Sequence, residues 1–431
     1  MVKNTTLFEV AWEVCNKVGG IHTVVSTKAL QACEQFGENY YLFGPDLGQK
    51  NGFEETQEPA WETLVRIAKV NGLKCRFGRW KIPGRPKVIL INFKDRYNQN
   101  QLLYELWQDY GVDSLTGGWD YVEPVMFSTA CGDAIAAFYR GVVEPNEGAA
   151  VAQFHEWMCG AGILALKKKA PAVATVFTTH ATMLGRSMAG GGLDIYAQMN
   201  QINPQREAAS YNVTAKCSME AIAAREADCF TTVSTITADE AAAFLSRRPD
   251  CVTPNGLDLR TIPDYSSNRT APLACRAKIL EAASRLLRHR LPQETRIVMI
   301  SGRYEFHNKG IDLFLDAMAG VNKDLWESGI SVLALCAVMG GHTGPDEAAL
   351  SGDPDRRPEK GTNWITSHHV YDGPRDPILQ ACARTHLDNR PENPVQVLFI
   401  PAALDGQDGF LNLTYDEVLS ACDLGAFPSW Y

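Results

Sequence analysis

Short apolar, β-branched runs recur along this chain at intervals filled by helix-like stretches, and that alternation constrains the fold more than any other feature. TTLFEV (5–10), YYLFG near residue 40, VILINF near 88, VAQFH near 151, VATVFTTH near 173 and CFTTVS near 229 read as strands. VMFSTACGDAIAAFYR (125–140), SMEAIAAREA (218–227) and ITADEAAAFLSRR (236–248) lie between them and read as amphipathic crossover helices. Strand–helix–strand order predicts an α/β fold with parallel, doubly wound sheets, because a parallel connection needs a crossover long enough to hold a helix. A chain of 431 residues, 45% hydrophobic, exceeds one ordinary core, so two domains are expected. The turn-rich segment VTPNGLDLR (252–260) separates the first series from a second that starts at IVMISG, which divides the chain into domains 1–255 and 256–431. From Gly340 to about Pro394 the composition turns to Gly, Pro, Asp, Arg and His, predicting long loops with one short helix near DPILQACAR.

Charge and cysteine usage exclude several functions. A formal net charge of −9 lacks the basic field that nucleic-acid binding requires. Glu9 and Glu13 interrupt the N-terminal apolar stretch, and no apolar run reaches the length of a membrane span, so a soluble, cytoplasmic protein is expected. Twelve cysteines without a CxxC pair read as reduced, mostly buried residues rather than staples or a metal site.

Four motifs carry candidate chemistry. GRYEFHNKG (302–310) follows the apolar run IVMI and precedes the helix-like IDLFLDAMAG, a strand–turn–helix arrangement that makes an anion site. Its Arg303 and Lys309 are the side chains best suited to a phosphate. EVCNKVGGIHTVV (13–25) places Lys17, Gly19 and Gly20 before a helix, which serves either phosphate approach or plain packing. FHEWMCG (154–160) closes a strand with His155 and Glu156, read as a pair satisfied by the backbone. FTTHATMLGR (177–186) crowds His180, Thr182 and Arg186 at the C-terminal end of a strand, where open α/β sheets bind ligands.

Taken in order, LFEVAWEVCNKVGGIHTV, FGRWKIPG, QFHEWMCGAGI, TVFTTHATMLGR, FTTVSTITADEA, VTPNGLD, GRYEFHNKGIDLFLDA and YDEVLSACDLGAFPSWY resemble the glycogen synthases of animals, fungi and some bacteria. The likeness runs from residue 7 to 431, with poorer agreement at 261–295 and 340–370. It implies the GT-B glycosyltransferase fold, two Rossmann-like domains facing across a cleft, the second one incomplete. It also implies retaining transfer of glucose from UDP-glucose to an α-1,4-glucan, with no metal and no cofactor, UDP-glucose being a substrate. In that family's terms Arg303 and Lys309 bind the diphosphate, Arg186 reaches the same phosphates, and His180 sits near the glucose. Lys17, Gly19 and Gly20 line the N-terminal wall, and Tyr415 stacks on uracil.

The family has a glutamate essential at the glucose directly after FPSWY, followed by further strands and an Arg-rich regulatory helix. This sequence stops at Tyr431, so it reads as a partial synthase that is inactive or nearly so, without allosteric activation or the family's tetramer contact. Two other readings stay open: a non-catalytic binder of nucleotide sugar or glucan, and a transferase of another UDP-sugar on the same fold. A primer protein and an oligomer also stay open as partners; nucleic acid and membrane do not.

Overall fold

The computed structural model describes residues 4–48, 52–261, 269–351 and 364–431. Contacts divide the chain into two compact units, Met1–Ile262 and Pro263–Tyr431. The division falls later than the 255/256 boundary read from the turn signals because that turn stays bound to the first unit. Thr253 N–H donates to the Thr232 carbonyl at 2.7 Å, and Arg260 bridges Asp258 and Glu34.

The first unit is built on nine strands: β1 (Thr5–Val10), β2 (Tyr40–Pro45), β3 (Phe53–Glu55), β4 (Lys74–Trp80), β5 (Lys87–Asn92), β6 (Ala149–His155), β7 (Ala174–Thr179), β8 (Cys229–Thr232) and β9 (Cys251–Val252). They lie in the order β3-β4-β5-β2-β1-β6-β7-β8-β9. All neighbours are parallel except β3–β4 and β4–β5, which form an antiparallel edge. The chain runs outward from β1 through β2 and β5, then returns to place β6 on the other side of β1. The order therefore reverses between β1 and β6, and the strand ends there open the crevice in which such sheets bind ligands.

Side-chain alternation assigns the two faces of this sheet. Phe8, Val10, Phe43, Ile89, Ile91, Ala152 and Phe154 enter the larger core, whereas Tyr40, Leu42, Val88 and Leu90 enter a smaller one under the helix Gly20–Phe36. The stretch read as an ordinary amphipathic helix at 125–140 is instead the C-terminal part of the helix Trp119–Phe138. It is buried on nearly every side from Tyr121 onward, as an all-round apolar sequence demands. Helices Thr214–Glu226 and Thr235–Phe244 fall where the periodicity put them.

In the second unit β10 (Arg296–Arg303), β11 (Val332–Met339), β14 (Val395–Ile400) and β15 (Leu424–Gly425) form a parallel sheet in the order β14-β11-β10-β15. Both faces are buried. Ile297, Met299, Leu333, Leu335, Leu398 and Ile400 pack on one side; Ile300, Ala334, Cys336, Val397 and Phe399 pack on the other. Such strands read as unbroken apolar runs. The 340–394 stretch is more ordered than its composition suggests. It contains an antiparallel pair, β12 (His342–Pro345) with β13 (His368–Val370), and the helix Pro377–Thr385 at DPILQACAR. Residues 352–363 of that stretch lie outside the described residues. Among the described residues no helix is long and apolar enough to cross a membrane.

Candidate active-site residues in each unit

In the first unit the polar residues gather on the face opposite the large core. Glu9 is fully buried near the C-terminal end of β1, between the apolar Phe8 and Val10. Three donors converge on its carboxylate: Tyr40 O–H at 2.6 Å, His155 Nε2 at 2.8 Å and Lys28 Nζ at 2.7 Å. Burial pushes the Glu9 pKa up, but Lys28 and His155 outweigh it and bring the group down to about 2. Lys28 also donates to Gln153 at 3.1 Å, and Gln153 Nε2 donates to Thr178. The far nitrogen of His155, Nδ1, lies 3.1 Å from His180 Nε2. Lys28, Gln153, His155, Thr178 and His180 line a cavity of about 320 Å³ on this face.

The turn that carries His180 joins β7 to the helix Met183–Gly190 and rests on three buried carboxylates. His180 N–H donates to Glu156 at 2.9 Å, Met183 N–H to Glu220 at 2.9 Å and Thr182 N–H to Glu240 at 3.2 Å. The three acids come from three places: the end of β6, the helix Thr214–Glu226 and the helix Thr235–Phe244. Burial raises Glu156 to about 7, opposed by Arg186 and the His180 and Ala181 amides. Burial, with Glu156 beside it, raises Glu220 to about 8. Glu156 also holds φ = 64°, a backbone state that non-glycine residues adopt at a cost, on the order of 1–3 kcal/mol. Burial first, then His155 and Lys28, lower the His180 pKa to about 3, so the ring is neutral.

The Arg186 side chain, on the helix after that turn, makes no hydrogen bond or ion pair among the described residues. It acts on Glu156 and His180 through its charge alone. Lys17 is exposed in the loop after β1. Gly19 N–H does not wait for a phosphate: it donates to Glu13 Oε2 at 2.7 Å, and His22 N–H joins it at 2.9 Å. Glu13 thus caps the helix Gly20–Phe36 from the preceding loop, where its charge also suits the positive end of the helix dipole.

In the second unit the turn 303–310 follows β10 at the point where that sheet's order reverses, with β11 on one side and β15 on the other. Arg303 Nη2 lies 3.0 Å from Glu305 Oε1, both side chains partly exposed. Lys309 Nζ donates to the main-chain oxygen of Tyr431, the last residue of the sequence, at 2.8 Å. Trp430 and Tyr431 N–H groups both reach the Asn308 carbonyl, and the His307 ring stacks on Trp430. Gly310 is required twice over: its φ is 64°, and a Cβ there would stand 1.9 Å from the Pro428 carbonyl oxygen. Tyr415 opens the helix Tyr415–Ala421, its hydroxyl 3.0 Å from Ser301 Oγ and the residue 40% exposed.

Sequence reasoning singled out His180, Arg186, Arg303 and Lys309 but not Glu9, Glu13, Lys28, Glu220 or Glu240. It also read His155 and Glu156 as satisfied by the backbone, whereas the His155 ring bonds two side chains. The available signal was Glu9 itself, a lone carboxylate inside a buried parallel strand, which must have partners.

Two doubly wound α/β units, each with its polar turns at strand ends, define the class: the GT-B glycosyltransferase fold. The catalytic domain of starch synthase IV from Arabidopsis thaliana, solved bound to ADP and acarbose, superposes over 99% of this chain and 78% of that one, with a TM-score of 0.51 at 13% identity. The glycogen synthase family model matches residues 9–342 and 358–431. The human liver glycogen [starch] synthase is 31% identical over 100% of this chain and 69% of its own length. The Caenorhabditis elegans glycogen [starch] synthase is 31% identical over 99% of this chain and 72% of its own, and that of Neurospora crassa 29% identical over 100% and 69%. This chain belongs to the glycogen synthase family of glycosyltransferases.

Proposed function

We propose that the protein transfers glucose from UDP-glucose to the non-reducing end of an α-1,4-glucan with retention of configuration. The C1–oxygen bond to the diphosphate breaks, a bond from C1 to the glucan 4-oxygen forms, and the hydroxyl proton passes to the departing diphosphate. The observation that carries the reading is the placing of Arg303 and Lys309 on one short turn at the reversal point of a parallel sheet. The charge that grows on a leaving diphosphate needs fixed cations, and losing one such group costs about 3 kcal/mol. The Arg303–Glu305 contact is partly exposed and on the order of 0–1 kcal/mol, so a diphosphate displaces it readily. In this reading Tyr415 offers its half-exposed ring to the uracil, Arg186 and Lys17 add positive charge, Gly19 and Gly20 keep the loop close, and His180 meets the sugar. No cofactor beyond the substrates is needed. The unpaired cysteines, exposed Cys251 among them, support a reducing, cytoplasmic compartment.

The test is titration calorimetry of UDP-glucose against the 431-residue chain, with Arg303→Ala and Lys309→Ala beside it and labelled-glucose incorporation into glycogen measured in parallel. Affinity that drops at least about tenfold in both variants supports the donor site. A wild-type chain that ignores UDP-glucose, or variants that bind as well as it does, overturns the assignment.

A further inference from the structure

His180 has two ring nitrogens, and only one of them is accounted for by the protein. Nε2 lies 3.1 Å from His155 Nδ1. Nothing among the described residues donates to or accepts from His180 Nδ1. Which nitrogen carries the proton is decided two residues away. The Glu9 carboxylate is buried and ionised, and an ionised carboxylate only accepts hydrogen bonds. His155 Nε2, 2.8 Å from it, must therefore be the protonated nitrogen. Lys28 and Tyr40 supply the other donors to the same carboxylate and hold it in place.

Burial disfavours a charged His155, with Glu9 opposing, so the ring is neutral and its Nδ1 presents a lone pair. That lone pair can be answered only by an N–H on His180 Nε2. A neutral imidazole has one N–H, so Nδ1 of His180 is left bare. The polarity of the chain Glu9–His155–His180 runs in one direction, set at its buried end.

We propose that Glu9 and His155 are positioning residues that lock His180 in the Nε2–H tautomer, so that His180 meets its ligand as a hydrogen-bond acceptor at Nδ1. The ligand group this fits is a hydroxyl. A phosphate oxygen, itself an acceptor, is turned away. Naming the hydroxyl as one of a sugar rests on the glucosyl-transfer reading above; the tautomer does not. The same arrangement denies His180 the role of proton donor to a leaving group.

The experiment is nitrogen NMR of the unliganded 431-residue chain with ¹⁵N-labelled histidine rings, His155 and His180 being assigned from the spectra of His155→Asn and His180→Asn. The expected result is a protonated Nε2 and an unprotonated Nδ1 for both residues near neutral pH. A protonated Nδ1 on His180, whether in the other tautomer or in a charged ring, overturns the proposal without any reference to activity. Glu9→Gln is the second arm, because a glutamine amide can donate to His155 Nε2 and removes the bias. His180 should then shift toward a mixture of tautomers; an unchanged spectrum in the folded variant also overturns the proposal. Should Glu9→Gln not fold, the wild-type spectrum alone decides. UDP-glucose added to the wild type separates the two readings: donor binding lost with the tautomer intact removes the sugar assignment and leaves the lock standing.

Discussion

The turn after β7 and the turn after β10 both lead from a parallel strand into a helix, yet they are built in opposite ways. In the first, the amides of His180, Thr182 and Met183 each end on a buried carboxylate, and the His180 ring ends on a buried histidine–glutamate pair. In the second, Arg303 pairs with a partly exposed glutamate and Lys309 with the main-chain oxygen of the last residue, Tyr431. The first arrangement fixes geometry at a cost in stability, because buried acids must be satisfied or neutral. The second keeps its cations exchangeable. A group that discriminates by shape and tautomer has to be held before the ligand arrives; a group that neutralises a diphosphate has only to be near and charged.

The contrast breaks most visibly at Glu9. Glu9→Ala leaves Lys28 and His155 facing an empty, buried site, and removing one partner of a buried pair costs about 3–5 kcal/mol. Chemical denaturation should show the loss in the first unit's transition; a change below about 1 kcal/mol means the network is dispensable. Arg303→Ala should do the reverse. It lowers UDP-glucose affinity at least about tenfold while the melting temperature barely moves. Equal losses of stability and affinity would show that the second turn is structural as well.

A pH series sharpens the same comparison. Glu156 and Glu220 hold their protons to about pH 7 and about 8 in the folded chain, but ionise near 4.5 when unfolded. Between those limits the unfolded chain binds fewer protons, so stability falls as pH rises. Glu9 has the opposite sign: its contribution is present above about 4.5 and is lost as pH falls toward 2. Glu220→Gln should flatten the alkaline fall and restore on the order of 4 kcal/mol at pH 8, read from calorimetric melting between pH 5 and 8. Parallel curves for wild type and variant refute the assignment. The smallest effect belongs to Glu305→Gln, which frees Arg303 from a partly exposed pair and should shift stability by less than about 1 kcal/mol. UDP-glucose affinity should stay level or rise; a clear fall means that Glu305 orients Arg303 rather than merely resting on it.

The sequence carried the strands of the first sheet well because each is a short apolar run closed by polar turn residues, as in VAQFH and CFTTVS. It missed the antiparallel edge β3–β4, where Phe53–Glu55 is too short to show a period. It also took the helix Trp119–Phe138 for an amphipathic one, since a fully buried helix and a half-buried one share the same apolar residues at the same spacing. The site divides along similar lines. Arg303, Lys309 and His180 are legible because cations and histidine at strand ends are unusual in themselves. Glu13 is not, because an acid in a loop announces nothing until its carboxylate is seen on the Gly19 and His22 amides.

By itself the sequence determined the class of chain, the alternation of strand and helix, the two-unit division and the charged turns from which the family likeness follows. These are local properties, fixed by periodicity of two and of 3.6 and by residues with few alternative roles. Only the tertiary structure decided that Glu9, 146 positions before His155, would set the proton on a histidine at residue 180. Strand order does that: β1, β6 and β7 are distant in the chain and adjacent in the sheet, so their side chains share one face. The direction of a hydrogen-bond chain is a property of which groups touch, and no spacing along the sequence encodes it.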